Sequence, residues 1–155
     1  MKSKVMTTIL TSLIVCLTII SFTSCSAKDY DYEVTYLTDT GVNVETEDIT
    51  LITSQEELNG YMNSSRFLEA ANNVVEKMES YSADYFDNKM LIVINLQEST
   101  GSSKISVEKI DYVDSEAVVT LKRKASDISD DSIRVWSIFV EVDIQEIESV
   151  KYTFQ

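Results

Sequence analysis

Apolar and polar residues alternate along most of the chain after residue 30, and this period of two is typical of half-buried β-strands. The alternation predicts strands over residues 32–36, 48–53, 104–113, 116–124, 133–142 and 150–154. Residues 90–96 are apolar almost without interruption, which predicts a central strand buried on both faces. Val42 and Val44 suggest a further short strand. The parity of the apolar positions changes near Glu108 and Lys109, which predicts a β-bulge there.

Two segments between these strands have the spacing of helices. Ser54 followed by Glu57 resembles a capping box and predicts that a helix begins there. In the second segment, apolar residues recur at intervals of three and four and form one stripe. The stripe consists of Phe67, Ala70, Ala71, Val74, Val75, Met78 and Tyr81. It predicts one helix over 67–81 that packs against a sheet.

The order of these elements predicts the fold class. Strands come first, then two helices, and then a run of five strands with short connections. Such segregation predicts an α+β fold, with a mostly antiparallel sheet and the two helices packed on one face. The strand over 116–124 ends in the basic run Lys122-Arg123-Lys124, which is typical of a sheet edge. No repeat or linker interrupts residues 33–155, so we expect a single domain.

The first 25 residues have the layout of a secretory signal. Two lysines precede an uncharged, largely apolar stretch over residues 5–22. The tail Phe22-Thr23-Ser24-Cys25 resembles a bacterial lipobox, in which the signal is removed before a cysteine that carries lipid. The resemblance implies a signal peptide over 1–24, lipid on Cys25 and a short tether over 25–32.

The cysteine content agrees with lipidation. Cys16 leaves with the signal, so Cys25 is then the only thiol of the mature chain. A lone cysteine makes no internal disulfide, and a free thiol is reactive in an oxidising compartment. Two acyl chains on this sulfur are enough for stable membrane attachment. Two alternatives stay open: an uncleaved membrane-spanning anchor over the uncharged residues 5–27, and a soluble secreted protein.

Charge limits the partners of such a protein. From Cys25 onward the chain has 11 basic and 26 acidic residues, a formal net charge of −15. This excess argues against DNA, RNA and other polyanions as partners, and it should hold the domain off an anionic leaflet. Six residues separate Cys25 from Tyr32, and they reach about 20 Å. We therefore expect a lipid-anchored domain close to the extracytoplasmic face of the cell membrane.

Residue types that carry most enzyme chemistry are missing or unpatterned. The chain has no His, which excludes His-based triads and His metal ligands. The acidic loop with Asp127, Asp130 and Asp131 lacks the spacing and the glycine of an EF-hand. A solvated loop is its simpler interpretation, and whether it binds a cation stays open. Paired carboxylates in a cell-wall glycan hydrolase are the alternative to a non-catalytic protein. No cofactor is predicted.

Aromatic residues supply candidate binding positions, because they are frequent anchors of protein interfaces. Tyr85 and Phe86 lie in a polar segment. Trp136 and Phe139 lie on opposite faces of one predicted strand, so at most one of them can enter the helix-covered core. These rings either form a protein-binding patch near the turn at Gly101 or complete the core, and the sequence leaves both interpretations open.

Residues 52–154 resemble small exported bacterial proteins of the PrcB type, the accessory subunits of a surface protease complex. The matching segments are ITSQEEL at 52–58, YFDNKMLIV at 85–93, STGS at 99–102 and WSIFVEV at 136–142. In these proteins the turn usually has the sequence Thr-Gly-Gly, whereas here Ser102 follows Gly101. The resemblance implies a non-catalytic accessory module for another exported protein, such as a protease. The candidate partner-binding residues are Tyr85, Phe86, Thr100, Gly101, Ser102, Trp136 and Phe139.

Metabolic labelling with a fatty-acid probe tests the lipidation. We expect label in the natural chain and none in Cys25→Ala, because this sulfur is the predicted attachment atom. Equal labelling of the two chains would refute the assignment. An intact hydrophobic N-terminus on the natural chain would favour the membrane-spanning alternative.

Overall fold

The computed structural model describes residues 31–44, 48–98, 104–124 and 133–155. Within these residues the strands are β1 (Tyr32–Thr38), β2 (Asp48–Ile52), β3 (Lys89–Glu98), β4 (Lys104–Val113), β5 (Glu116–Lys124), β6 (Arg134–Asp143) and β7 (Ser149–Phe154). Between β2 and β3 lie the helices α1 (Gln55–Met62) and α2 (Asn72–Glu79), with short 3-10 helices at Ser65–Phe67 and Ala83–Asp87.

The predicted signal, Cys25 and the alternative anchor over 5–27 lie outside the described residues. Among the residues described, no helix is both long and apolar enough to cross a membrane.

The strands form two sheets. The order of the four-stranded antiparallel sheet is β1-β6-β3-β2, and that of the three-stranded sheet is β4-β5-β7, with β5 and β7 parallel. The four-stranded sheet is the middle layer, because the helices pack on one of its faces and the three-stranded sheet packs on the other. The predicted α+β class, mostly antiparallel with the helices on one face, is confirmed. The division into two sheets was not predicted.

β3 lies at the centre of this layered arrangement. Its residues Leu91 and Val93 face the helices, whereas Ile92 and Ile94 face the three-stranded sheet. All residues over 91–96 are buried. A strand between two layers needs apolar side chains on both parities, so the structure confirms the predicted central strand.

α1 begins where the capping pattern predicts. The Ser54 hydroxyl oxygen accepts a hydrogen bond from the Glu57 amide at 3.2 Å. The Glu57 carboxylate accepts in return from the amide and the hydroxyl of Thr53, at 2.7 and 2.9 Å. In a capping box the acid reaches the N-cap residue itself, so this helix uses a version displaced by one residue.

The apolar stripe over 67–81 is not one continuous helix. The backbone is extended at Ala71 (φ −67°, ψ 153°), and α2 begins only at Asn72. The Ala71 amide donates a hydrogen bond to the carbonyl oxygen of Thr40 in the loop after β1, at 2.8 Å. It therefore does not donate to a carbonyl oxygen one helical turn earlier. The stripe still packs on the middle sheet. The predicted buried face is therefore correct, and the predicted continuity is wrong.

β5 is the middle strand of its sheet and not the predicted edge. Parallel pairing with β7 covers its second side, and such non-local pairing leaves no local sequence signal. The basic run Lys122-Arg123-Lys124 marks instead the exposed end of the strand. The predicted β-bulge is confirmed in β4, where the register shifts between Val107 and Lys109.

Tyrosines of β1 connect the two sheets at this bulge. The Tyr36 hydroxyl accepts a hydrogen bond from the Val107 amide at 2.9 Å, and the Tyr32 hydroxyl donates to the Glu108 carbonyl oxygen at 3.4 Å. A bulge disrupts the pairing of backbone groups within its sheet. The two hydroxyls supply the missing partners, and they join β1 to a strand of the other sheet.

A close backbone approach joins the loop after β1 to the segment before α2. Gly41 has φ +65°, and a Cβ atom there would lie 2.3 Å from the Glu69 carbonyl oxygen. The neighbouring Asn43 amide donates to the Arg66 carbonyl oxygen at 3.0 Å. These contacts tie residues 42–44 to the helical layer, so the strand suggested there does not form.

We expect Gly41→Ala to lower the free energy of unfolding by about 1–3 kcal/mol, because a methyl group clashes with the backbone and the positive φ disfavours an L side chain. Gly60→Ala is the matched control. Gly60 lies inside α1, where an added Cβ meets no atom within 4 Å, and alanine should stabilise the helix by about 0.5–1 kcal/mol. Urea unfolding measures both variants. Changes of the same sign would contradict the close approach.

Candidate functional site

The two ends of β1 define two opposite ends of the molecule. β1 begins at Tyr32, which pairs with Val142 near the end of β6, and it ends at Thr38, which pairs with Trp136. We define the tether end by Tyr32 and the distal end by Thr38. At about 3.3 Å per strand residue, these ends of β1 are about 20 Å apart.

The ends of several strands meet at the distal end. Glu98 at the end of β3 pairs with Arg134 at the start of β6, and Lys104 at the start of β4 pairs with Lys124 at the end of β5. An ion pair of 2.7 Å between Arg123 and Glu98 joins the two sheets at this end. Binding residues concentrate where a rigid scaffold ends, and a groove lined by described residues opens at this end, so the distal end is the candidate functional site.

An open groove of about 400 Å³ lies at the distal end, on the helix-covered side of the middle sheet. One wall is the loop after β1, the other is the segment before α2, and β6 contributes a single residue. The lining residues are Gly41, Val42, Asn43, Ser65, Arg66, Leu68, Glu69 and Val135. Because the Gly41–Glu69 approach joins the two walls, the groove is part of the packed fold.

The rim of this groove is apolar and exposed. Leu68 is 78% exposed, the highest value among the large apolar residues described, and Ile133 is 65% exposed. Ile133 lies just before β6, two residues from Val135. A single exposed apolar residue is ordinary, but here Leu68 and the half-buried Val135 line the same concavity. We name Leu68 and Val135 the apolar rim.

A buried polar network supports one wall of the groove. The Arg66 guanidinium donates to the fully buried Asp48 carboxylate at 2.8 Å. The Asn95 amide donates to Asp48 at 3.3 Å and to the Tyr61 hydroxyl at 2.7 Å, while the Ser137 hydroxyl donates to Asn95 at 2.7 Å. Burial raises the pKa of Tyr61 to about 12. The network satisfies a carboxylate that would be costly to bury alone.

The chemistry of this network is structural. The buried Ser137 hydroxyl bonds to an amide oxygen, and an amide is not a base that could activate it as a nucleophile. The Asp48 carboxylate is held by a guanidinium and an amide of the same chain. The network therefore fixes the position of Arg66 at the groove and does not form a reactive centre.

A second polar cluster lies under α2, apart from the groove. The Glu141 carboxylate accepts hydrogen bonds from the Lys77 ammonium and the Tyr81 hydroxyl, both at 3.0 Å. Burial, and then the nearby Glu141 charge, raise the pKa of Tyr81; burial also raises the pKa of Tyr85. Both tyrosines therefore stay protonated at neutral pH, and the cluster attaches α2 to β6.

The predicted aromatic residues lie in different environments. Phe139 is fully buried and Phe86 is nearly so, both in the helix-side core. Tyr85 is half-buried, and its hydroxyl donates to the Met90 carbonyl oxygen at 3.2 Å. Trp136 is half-buried and packs toward the three-stranded sheet. Phe139 thus enters the helix-covered core and Trp136 does not, so the two rings do not share one exposed patch.

Several sequence predictions fall on residues that the structure does not describe. These are Cys25, Thr100, Gly101 and Ser102, and the acidic-loop residues Asp127, Asp130 and Asp131. Within the described ranges, no group of three or more His, Cys, Asp or Glu residues is arranged to hold a metal ion.

The sequence interpretation missed the groove. Leu68 carries a usable signal, because it is a large apolar residue that falls off the stripe through Phe67 and Ala71. Arg66 gives no comparable signal, since its partner Asp48 is 18 residues away in another element.

Comparison of the chain with protein-family models, with curated proteins and with solved structures finds no match. The resemblance to PrcB-type proteins therefore stays a prediction that depends on the short segments quoted above.

We expect Asp48→Ala to lower the free energy of unfolding by about 2–4 kcal/mol, because it leaves Arg66 and Asn95 without their carboxylate partner. Asp111→Ala is the matched control. Asp111 forms an ion pair of 2.7 Å with Lys109, and both side chains are exposed. Its removal should lower the free energy of unfolding by less than about 1 kcal/mol. Chemical unfolding at pH 7 compares the two variants. Similar losses would mean that burial of the network contributes nothing.

Proposed function

We propose that this protein is a membrane-anchored extracytoplasmic lipoprotein and a non-catalytic binding or accessory module for another exported protein. The observation that carries the proposal is the apolar-rimmed groove at the end of the fold opposite to Tyr32. An anchor at Cys25 holds the chain from the Tyr32 side. The groove is then the part of the molecule that a partner outside the membrane can reach.

The rigidity of the groove supports a binding role. The approach of Gly41 to Glu69 fixes its two walls relative to each other, and Asp48 fixes Arg66. A preformed site loses less conformational entropy when a partner binds. Exposed apolar side chains at such a site provide the desolvation that stabilises an interface.

The hydrolase alternative has less support. It requires two carboxylates about 5–10 Å apart in a cleft. Among the described residues that line the groove, Glu69 supplies the single carboxylate. The carboxylates of the buried Asp48 and Glu98 and of the half-buried Glu141 each form an ion pair within this chain. These observations favour binding over glycan hydrolysis.

The resemblance to PrcB-type proteins extends the proposal to an exported protease as the partner. Thr100, Gly101 and Ser102 lie outside the described residues. The described residues that flank them in sequence, Glu98 and Lys104, are at the same end of the fold as the groove.

Site-specific photo-crosslinking in intact cells tests the proposal. The crosslinker is placed at Ile133, which is exposed and lies two residues before the groove-lining Val135. In a separate strain it is placed at Ile144, which is 52% exposed just after β6 at the tether end. We expect one reproducible exported protein to be crosslinked from Ile133 and not from Ile144. Crosslinks from neither position, or the same products from both, would contradict docking at the distal groove.

A further inference from the structure

We infer that the groove binds an extended segment of its partner in which an apolar side chain is flanked by Lys or Arg. The inference rests on the proposed function, because it names the chemistry of the segment that the docking site takes. It combines the shape of the groove, the balance of charges along its walls and the net charge of the chain.

The size and rim of the groove favour a short segment with an apolar side chain. A volume of about 400 Å³ lies near the lower end of the range for concave binding sites. Leu68 and Val135 give the concavity apolar lining on two of its sides. An extended segment can place one side chain between them and continue along the rim, whereas a second folded domain would meet only the edges.

The two charged residues that line the groove are not equivalent. Arg66 is bound to the buried Asp48 carboxylate, so its positive charge is compensated inside the fold. Glu69 is exposed and pairs with no cation among the described residues. Beyond the rim, Arg134 lies 3.5 Å from the carboxylate of Asp39. The charge left uncompensated at the groove wall is therefore the negative one of Glu69.

The net charge of the whole chain also favours a basic partner. The chain from Cys25 onward has a net charge of −15, and a field of this sign accelerates association with cationic partners. The effect is largest at low ionic strength, where the screening length rises from about 10 Å at 0.1 M to about 30 Å at 0.01 M. A second copy of the chain has the same net charge, and this repulsion disfavours it as the occupant.

Three labelled peptides test the inference, with the full processed chain in phosphatidylcholine nanodiscs. They are acetyl-GKSLLSKG-amide, the acidic analogue acetyl-GESLLSEG-amide and the analogue without leucine, acetyl-GKSSSSKG-amide. By fluorescence anisotropy in 20 mM salt, we expect the first peptide to bind at least about 10-fold more tightly than either analogue. We expect an increase to 500 mM salt to weaken this binding.

Two groove variants and one control variant locate the binding in the groove. Leu68→Ala should weaken the affinity for the first peptide at least about 5-fold, whereas Val113→Ala should change that affinity less than 2-fold. Val113 is also an exposed apolar residue, 57% exposed, but it ends β4 at the tether end. Glu69→Gln should reduce the preference for the basic peptide over the acidic one. Leu68 and Glu69 are exposed, so both variants should fold normally.

The outcomes separate this inference from the docking role. Equal binding of the basic and acidic peptides, no saturable binding of the basic peptide, or equal effects of Leu68→Ala and Val113→Ala would overturn the inference. A position-specific crosslink at Ile133 would then still support docking. If the chain prefers the basic peptide and this preference depends on Leu68, the inference about the groove is supported. If crosslinking then identifies no partner, only the proposed docking role is contradicted.

Discussion

Burial of the middle sheet on both faces is the constraint on which the rest of the structure depends. β3 lies between the helices and the three-stranded sheet, so every residue over 91–96 is buried, including the polar Asn95. A buried amide must be hydrogen-bonded, and Asn95 meets this requirement through Asp48 and Ser137. Asp48 in turn holds Arg66. The wall of the groove is thus a consequence of a polar residue in the most buried strand.

The sequence predicts most elements that depend on local pattern. The two-sided apolar run of β3, the Ser54 cap and the bulge in β4 each follow from spacing within a few residues, and the structure confirms them. The predictions that fail depend on distant contacts. The stripe over 67–81 is interrupted because Ala71 bonds to Thr40, and β5 is central because β7 pairs with it. Neither contact has a local signature.

The candidate site was less predictable than the fold for the same reason. Aromatic residues are good interface anchors in general, but Phe86 and Phe139 are needed to fill the space between the helices and the sheet. The groove instead combines three segments that are distant in sequence, around Gly41, Arg66 and Val135. Leu68, a large apolar residue off the apolar stripe, is the one local signal of the groove, and the sequence interpretation did not use it.

The antiparallel pairing of β1 and β6 has a mechanical consequence. In the proposed arrangement, tension from the anchor acts on β1 at Tyr32, and tension from a partner acts on β6 near Ile133 at the opposite end. These forces pull the two strands in opposite directions along their axes. The ladder from Tyr32 to Thr38, whose hydrogen bonds run across the strands, is then loaded in shear. All its hydrogen bonds then resist together instead of opening one at a time, so in the proposed arrangement this pair of strands would bear load along its whole length.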